Sequence, residues 1–112
     1  MKGKSVTMDK DGYPSDECLR YLRRIAKDPK RIEEMFRLII EAWDYKYAGY
    51  YRRRGRKIWL STAGWSGNES LIGAIDGSFN WFITAYSWKR GGHYVFLLPR
   101  FVAVSGLPKG GE

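Results

Sequence analysis

The residues best suited to chemistry lie in 61–75, STAGWSGNESLIGAI, which read as a strand end, a glycine-rich turn and the start of a short helix. Ser66 is predicted to cap that helix. Glu69, three residues later, completes a capping box in which each side chain serves a backbone donor of the other. The unpaired N–H groups of the first turn would then point at whatever lies over the bend. Gly64 and Gly67 permit close backbone approach, and Trp65 adds a large flat face, so an anion with a planar part suits the geometry. A second glycine turn, Arg90, Gly91 and Gly92, leads into His93 and Tyr94. If the two bends meet at one end of a sheet, the backbone of Ser66, Gly67, Asn68 and Glu69 holds a phosphate or carboxylate and Arg90 neutralises it. His93 would line the pocket, and Trp65 or Tyr94 would stack on a ring. The plainer reading is a capped helix beside an ordinary hairpin turn, with His93 as a strand residue.

A second candidate surface is 43–59, WDYKYAGYYRRRGRKIW, where aromatics interleave with cations. Tyr50, Tyr51, Arg52, Arg53, Arg54, Arg56 and Lys57 form the mixture that grips single-stranded nucleic acid, bases on rings and phosphates on cations. An acidic protein face would be drawn to the same patch. The plainer alternative puts Trp43 and Tyr47 in a core stripe and the arginines in a solvated loop.

Hydrolytic chemistry is a minor alternative. Ser66 follows a strand and precedes a helix, His93 and Asp76 would be its base and orienter, and a small serine hydrolase results. Asn68 stands where the G-x-S-x-G elbow has its last glycine, and the three residues are closely spaced for such a fold. One histidine and one cysteine give no recognisable metal-ligand set, and no Walker or Rossmann pattern occurs, so no cofactor or metal is expected. Cys18 falls at an apolar helical position and reads as a small buried hydrophobe.

These residues need a scaffold. A chain of 112 residues that is 44% hydrophobic and 16% aromatic supports one core. A formal charge of +8 favours anionic partners such as nucleic acid, nucleotides or acidic proteins. No apolar run is long enough to span a membrane. The polar start, MKGKSVTMDKDGYP, lacks the apolar centre of a secretory signal, so a cytoplasmic location is expected.

Residues 1–14 read as a flexible arm, 15–106 as one α+β domain and 107–112 as a flexible tail. Ser15 caps a helix carrying Cys18, Leu19, Leu22, Ile25 and Ala26 on its apolar side and ending near Lys27. Asp28 and Pro29 stop it and start the next. There Ile32, Met35, Phe36, Ile39, Ile40 and Trp43 form the stripe, which is read as continuing to Tyr47. Gly49 ends this helix, and 50–57 is predicted to be an exposed basic connection. A strand over 57–62 leads into the glycine turn and a short helix, 69–75, stopped by Asp76 and Gly77. From 80 to 89 the sequence alternates, with Trp81, Ile83, Ala85 and Ser87 on one side and Phe82, Thr84, Tyr86 and Trp88 on the other, which predicts a strand. Residues 93–98 return as its hairpin partner, and 101–104 are expected to add an edge strand beyond Pro99. The expected architecture is two N-terminal helices on a small, mostly antiparallel sheet of three or four strands, with a short helix between the first two strands. The relative direction of those two strands is left open.

The words GWSGNE within 61–69 and RGGHY at 90–94, with Trp81 and Trp88 between them, resemble a group of small hypothetical proteins encoded by bacteriophages and prophages. The resemblance covers the last half of the chain. It implies a phage accessory protein acting in the host cell and assigns no catalytic residue. Together with the charge, it leads to the expectation of a non-enzymatic protein that binds an anionic partner. As an anti-defence protein it would sequester a nucleotide signal or block a host defence protein; single-stranded nucleic acid is the rival partner. Exposed aromatics such as Trp88 offer a face for a second copy.

Overall fold

A computed structural model describes residues 13–44 and 50–108. The fold is α+β: among the described residues there are four α-helices and a four-stranded, wholly antiparallel sheet. Helix α1 is Asp16–Ile25, with the Ser15 hydroxyl accepting the Cys18 N–H at 3.1 Å as predicted. Asp28 then caps a 3₁₀ turn beginning at Pro29, accepting from the Lys30 N–H at 3.0 Å, and α2, Ile32–Ala42, comes directly after it. Its stripe is buried as read, including Ile32, Met35, Phe36, Ile39 and Ile40. The expected continuation to Tyr47 falls outside the described residues.

The basic stretch read as a connection is instead the first strand. β1, Tyr51–Arg54, turns through Gly55 and Arg56 into β2, Lys57–Ser61, with Arg54 opposite Lys57. Gly55 supplies the positive φ, 59°, that so tight a turn needs. After β2 come α3, Ser66–Ile75, and α4, Phe79–Thr84, then the hairpin β3, Ala85–Lys89, and β4, His93–Leu97. The strand expected over 80–89 is therefore half helix. Ser78 accepts the Trp81 N–H at 3.1 Å, and the Asn80 carboxamide donates to the carbonyls of Ile25 and Asp28. That anchoring starts a helix in a run whose aromatic composition favours strand. Residues 101–104 form turn and irregular backbone rather than an edge strand. Two helices, not one, separate β2 from β3.

The strand order is β1-β2-β4-β3. Alternation sends Tyr51, Ile58, Leu60 and Phe96 into the core, where Phe36 of α2 meets Phe96 with ring centroids 5.0 Å apart. Trp81 of α4 packs edge-on beneath Phe96 and Tyr94. Trp43 closes one end, its indole N–H shared between the carbonyls of Tyr50 and Ser61 at 3.1 Å each. The helices thus lie on one side of the sheet.

Candidate nucleic-acid interface

Because side chains alternate along a strand, burying Ile58, Leu60 and Phe96 sends their neighbours to the other face. Three rows result. Ser61, His93 and Lys89 lie directly across β2, β4 and β3. The next row is Arg52, Trp59, Val95 and Ser87, and the third is Arg54, Lys57 and Leu97. Rows are about 7 Å apart along the strands. The register shift between Ala85 and Ser87 makes Tyr86 the extra residue of a bulge, and its ring lies 4.9 Å from Lys57 Nζ. The Arg52 guanidinium sits 5.0 Å from the Trp59 ring centre and Lys57 Nζ 5.3 Å from it, so the central indole is flanked by two cations.

Among the described residues, no carboxylate pairs with Arg52, Arg54, Lys57 or Lys89; the ion pairs found there join Arg31 to Asp28 and Glu34, and Arg37 to Glu33, on the helical side. At one end of this face a recess of about 390 Å³ is lined by Arg52, Trp59, Ser61, Ser87, Lys89, His93, Tyr94 and Val95. Within it Ser61 Oγ lies 2.7 Å from His93 Nδ1. When Ser61 donates that hydrogen bond, Nε2 carries the ring proton and becomes a donor.

The candidate residues read from the sequence divide between this face and the scaffold. Arg52, Arg54 and Lys57 face outward with Trp59, a tryptophan that stands only at the end of a motif in the sequence. Tyr51 is buried and its hydroxyl donates to the Pro108 carbonyl. Arg53 donates to the carbonyls of Gly55 and Pro108, and Arg56 to those of Pro99 and Val102 at 2.6 Å each, so both guanidinium groups brace loops. The carbonyl of half-buried Tyr50 receives the Trp43 indole.

The two glycine bends do meet: the Thr62 N–H donates to the Gly92 carbonyl at 3.0 Å. Gly92 is required there, since a Cβ would lie 2.2 Å from Thr62 Oγ1. His93 lines the recess, whereas the Tyr94 ring turns to the helical side against Trp81 and Phe96 and is not placed to stack on a ligand there; Arg90 is exposed in the turn beside the recess. The other bend leads away to the helical side. Trp65, rather than Ser66, is the N-cap of α3, and no side chain caps it, so the expected capping box does not form. Glu69 Oε2 instead lies 3.5 Å from Thr62 Oγ1. The Trp65 indole folds over the first turn so closely that a Cβ on Gly67 would come 2.6 Å from its nitrogen, and Tyr13 stacks on the ring at 5.0 Å. Asn68 is fully buried: its carboxamide accepts from the Asp44 N–H at 2.9 Å and donates to the carbonyls of Asp44 and Thr62. Ser66 and Asp76 stand at opposite ends of α3, about 15 Å apart by helix rise, so one imidazole cannot meet both.

Comparison of the chain with protein-family models, with curated proteins and with solved structures finds no match. Among the described residues no group of three or more His, Cys, Asp or Glu is placed to hold a metal, Cys18 is buried, and no helix is long and apolar enough to cross a membrane. A separate polar cluster joins α1 to α2: Tyr21 donates to Glu34 at 2.5 Å, and Arg31 reaches both. The Glu34 hydrogen bond holds the Tyr21 phenol above its ordinary pKa, since ionising it would lose that bond and face the carboxylate.

Proposed function

We propose that this chain is a non-enzymatic binding protein whose sheet face opposite the helices holds single-stranded nucleic acid. The observation that carries the reading is Trp59, flanked by Arg52 and Lys57 at the centre of a face on which Arg54 and Lys89 also lie and no described carboxylate pairs with any of them. Bases stack on aromatic rings or on guanidinium planes, and cations spaced along the strands follow a phosphate backbone. A duplex hides its base faces and fits such a surface poorly. The resemblance of GWSGNE and RGGHY to phage-borne proteins adds a setting: an accessory protein in the host cytoplasm that acts by occupying nucleic acid or a nucleotide signal.

The test is fluorescence anisotropy with labelled oligothymidylate, using duplex of equal length as competitor. Trp59→Ala is expected to weaken binding by about 1–3 kcal/mol, roughly 5- to 150-fold in Kd, if one base stacks on the indole. Equal competition by duplex, or unchanged affinity in Trp59→Ala, defeats the reading. Salt-sensitive capture of an acidic protein with no oligonucleotide binding would give the face to a host defence protein instead.

A further inference from the structure

We infer that the recess at the His93 end of the sheet is a phosphate-terminus site, taking the terminal phosphoryl group of a nucleotide whose base stacks at Trp59. This rests on the nucleic-acid reading of the face and adds to it where on the ligand the protein takes hold. Position comes first. Ser61, His93 and Lys89 are the last row of the sheet, and beyond them the end of β2 and the turn between β3 and β4 are joined by the Thr62 to Gly92 hydrogen bond. A ligand lying across the rows therefore reaches its end here, about 7 Å from the row that contains Trp59.

Charge and donors agree with that position. Two cations, Arg52 and Lys89, line the recess with two serine hydroxyls and the imidazole, and among the described residues no carboxylate lines it. A phosphate inside a strand carries one charge and offers two free oxygens. A terminal phosphate carries between about 1.5 and 2 negative charges near neutral pH and offers three. Two cations plus hydroxyl and imidazole donors match the second better than the first. The 2.7 Å contact from Ser61 Oγ to His93 Nδ1 fixes the ring, and with Ser61 as donor it leaves Nε2–H for the ligand without needing a protonated imidazole. The terminal phosphate of a strand and that of a free mononucleotide share this chemistry.

The experiment compares an oligothymidylate bearing a terminal phosphate at either end with the same strand ending in hydroxyls, and with thymidine monophosphate, in the full chain and in His93→Gln and Ser61→Ala. The two substitutions leave the formal charge unchanged, and thermal melting checks that each variant folds. A phosphorylated strand is expected to bind about tenfold or more tightly than its hydroxyl-ended twin, and His93→Gln is expected to bring that ratio to about one. Equal affinity for the two strands overturns the site and leaves the nucleic-acid reading intact. A preference that survives both substitutions also overturns it, since the phosphate then sits elsewhere. Binding of the monophosphate alone, lost in His93→Gln, supports the site and names the free nucleotide as its source while ending the strand reading. Failure of every strand and of the monophosphate to bind ends both.

Discussion

Replacing Arg52 and Lys57 together with glutamine is expected to halve the salt dependence of oligonucleotide binding. Four cations, Arg52, Arg54, Lys57 and Lys89, share the face opposite the helices, and the register places them on three different strands. If each neutralises one phosphate, the logarithm of the association constant falls with the logarithm of salt with a slope of about −2.8, at about −0.7 per phosphate. A fourfold rise in salt then weakens the unaltered protein about 50-fold. The double variant, with a slope of about −1.4, loses only about sevenfold. Anisotropy titrations of oligothymidylate at several potassium chloride concentrations measure both slopes. The control is Arg20→Gln with Arg23→Gln on the exposed side of α1, which removes the same charge from a different surface. An unchanged slope in the sheet variant, or an equal drop in the α1 variant, would show that the phosphates run over the helices and that the face argument is wrong.

Further outcomes concern the scaffold. Asn68→Ala strips the Asp44 N–H and two carbonyls of their buried partner and is expected to cost about 1–3 kcal/mol, read as a lower urea midpoint with an unchanged m-value. Phe36→Ala removes the ring that meets Phe96 and is expected to cost about 3–5 kcal/mol in the same assay. The folded-state pKa of Tyr21 lies above its unfolded value, so its contribution is complete below that unfolded value of 10.0 and disappears as pH rises through the folded one; Tyr21→Phe should flatten the stability profile in that alkaline window only, measured by urea unfolding across pH.

Much of the helical half is legible because its signals are local. Ser15 caps α1, Asp28 caps the 3₁₀ turn that opens into α2, Asp76 and Gly77 end α3, and the apolar spacing from Ile32 to Ile40 marks the buried stripe of α2. The failures have a common cause, tertiary context overriding composition. An Arg-rich tetrapeptide reads as loop until its single core residue, Tyr51, is paired against Leu60. The aromatic run after Ser78 alternates like a strand, yet Asn80, tied to carbonyls at the end of α1, commits the first half to helix. In the glycine bend, Ser66 has the right type for a cap but stands one residue late, because the Trp65 carbonyl already accepts the Glu69 N–H at 3.0 Å. Trp59 escapes notice as a site residue in the sequence because only the sheet order shows which cations stand beside it.

The distribution of charge gives a reason to treat the face opposite the helices as functional rather than as leftover surface. The four strands, YRRR, KIWLS, AYSWK and HYVFL, contain five Lys and Arg and no Asp or Glu. The described carboxylates all lie in helices and connections, several of them at helix starts where the dipole favours them, as with Asp16, Glu17 and Glu33. Opposite charges paired across strands stabilise a sheet by a few tenths to about 1 kcal/mol, and like charges directly opposite cost a similar amount. Arg54 faces Lys57 in the ladder, so β1 and β2 bear that cost at their turn. A sheet selected for stability alone would gain from a glutamate at either position. Keeping every described acid off the face, with an indole at its centre, makes sense when the missing negative charge and the missing stacking partner arrive together on a ligand.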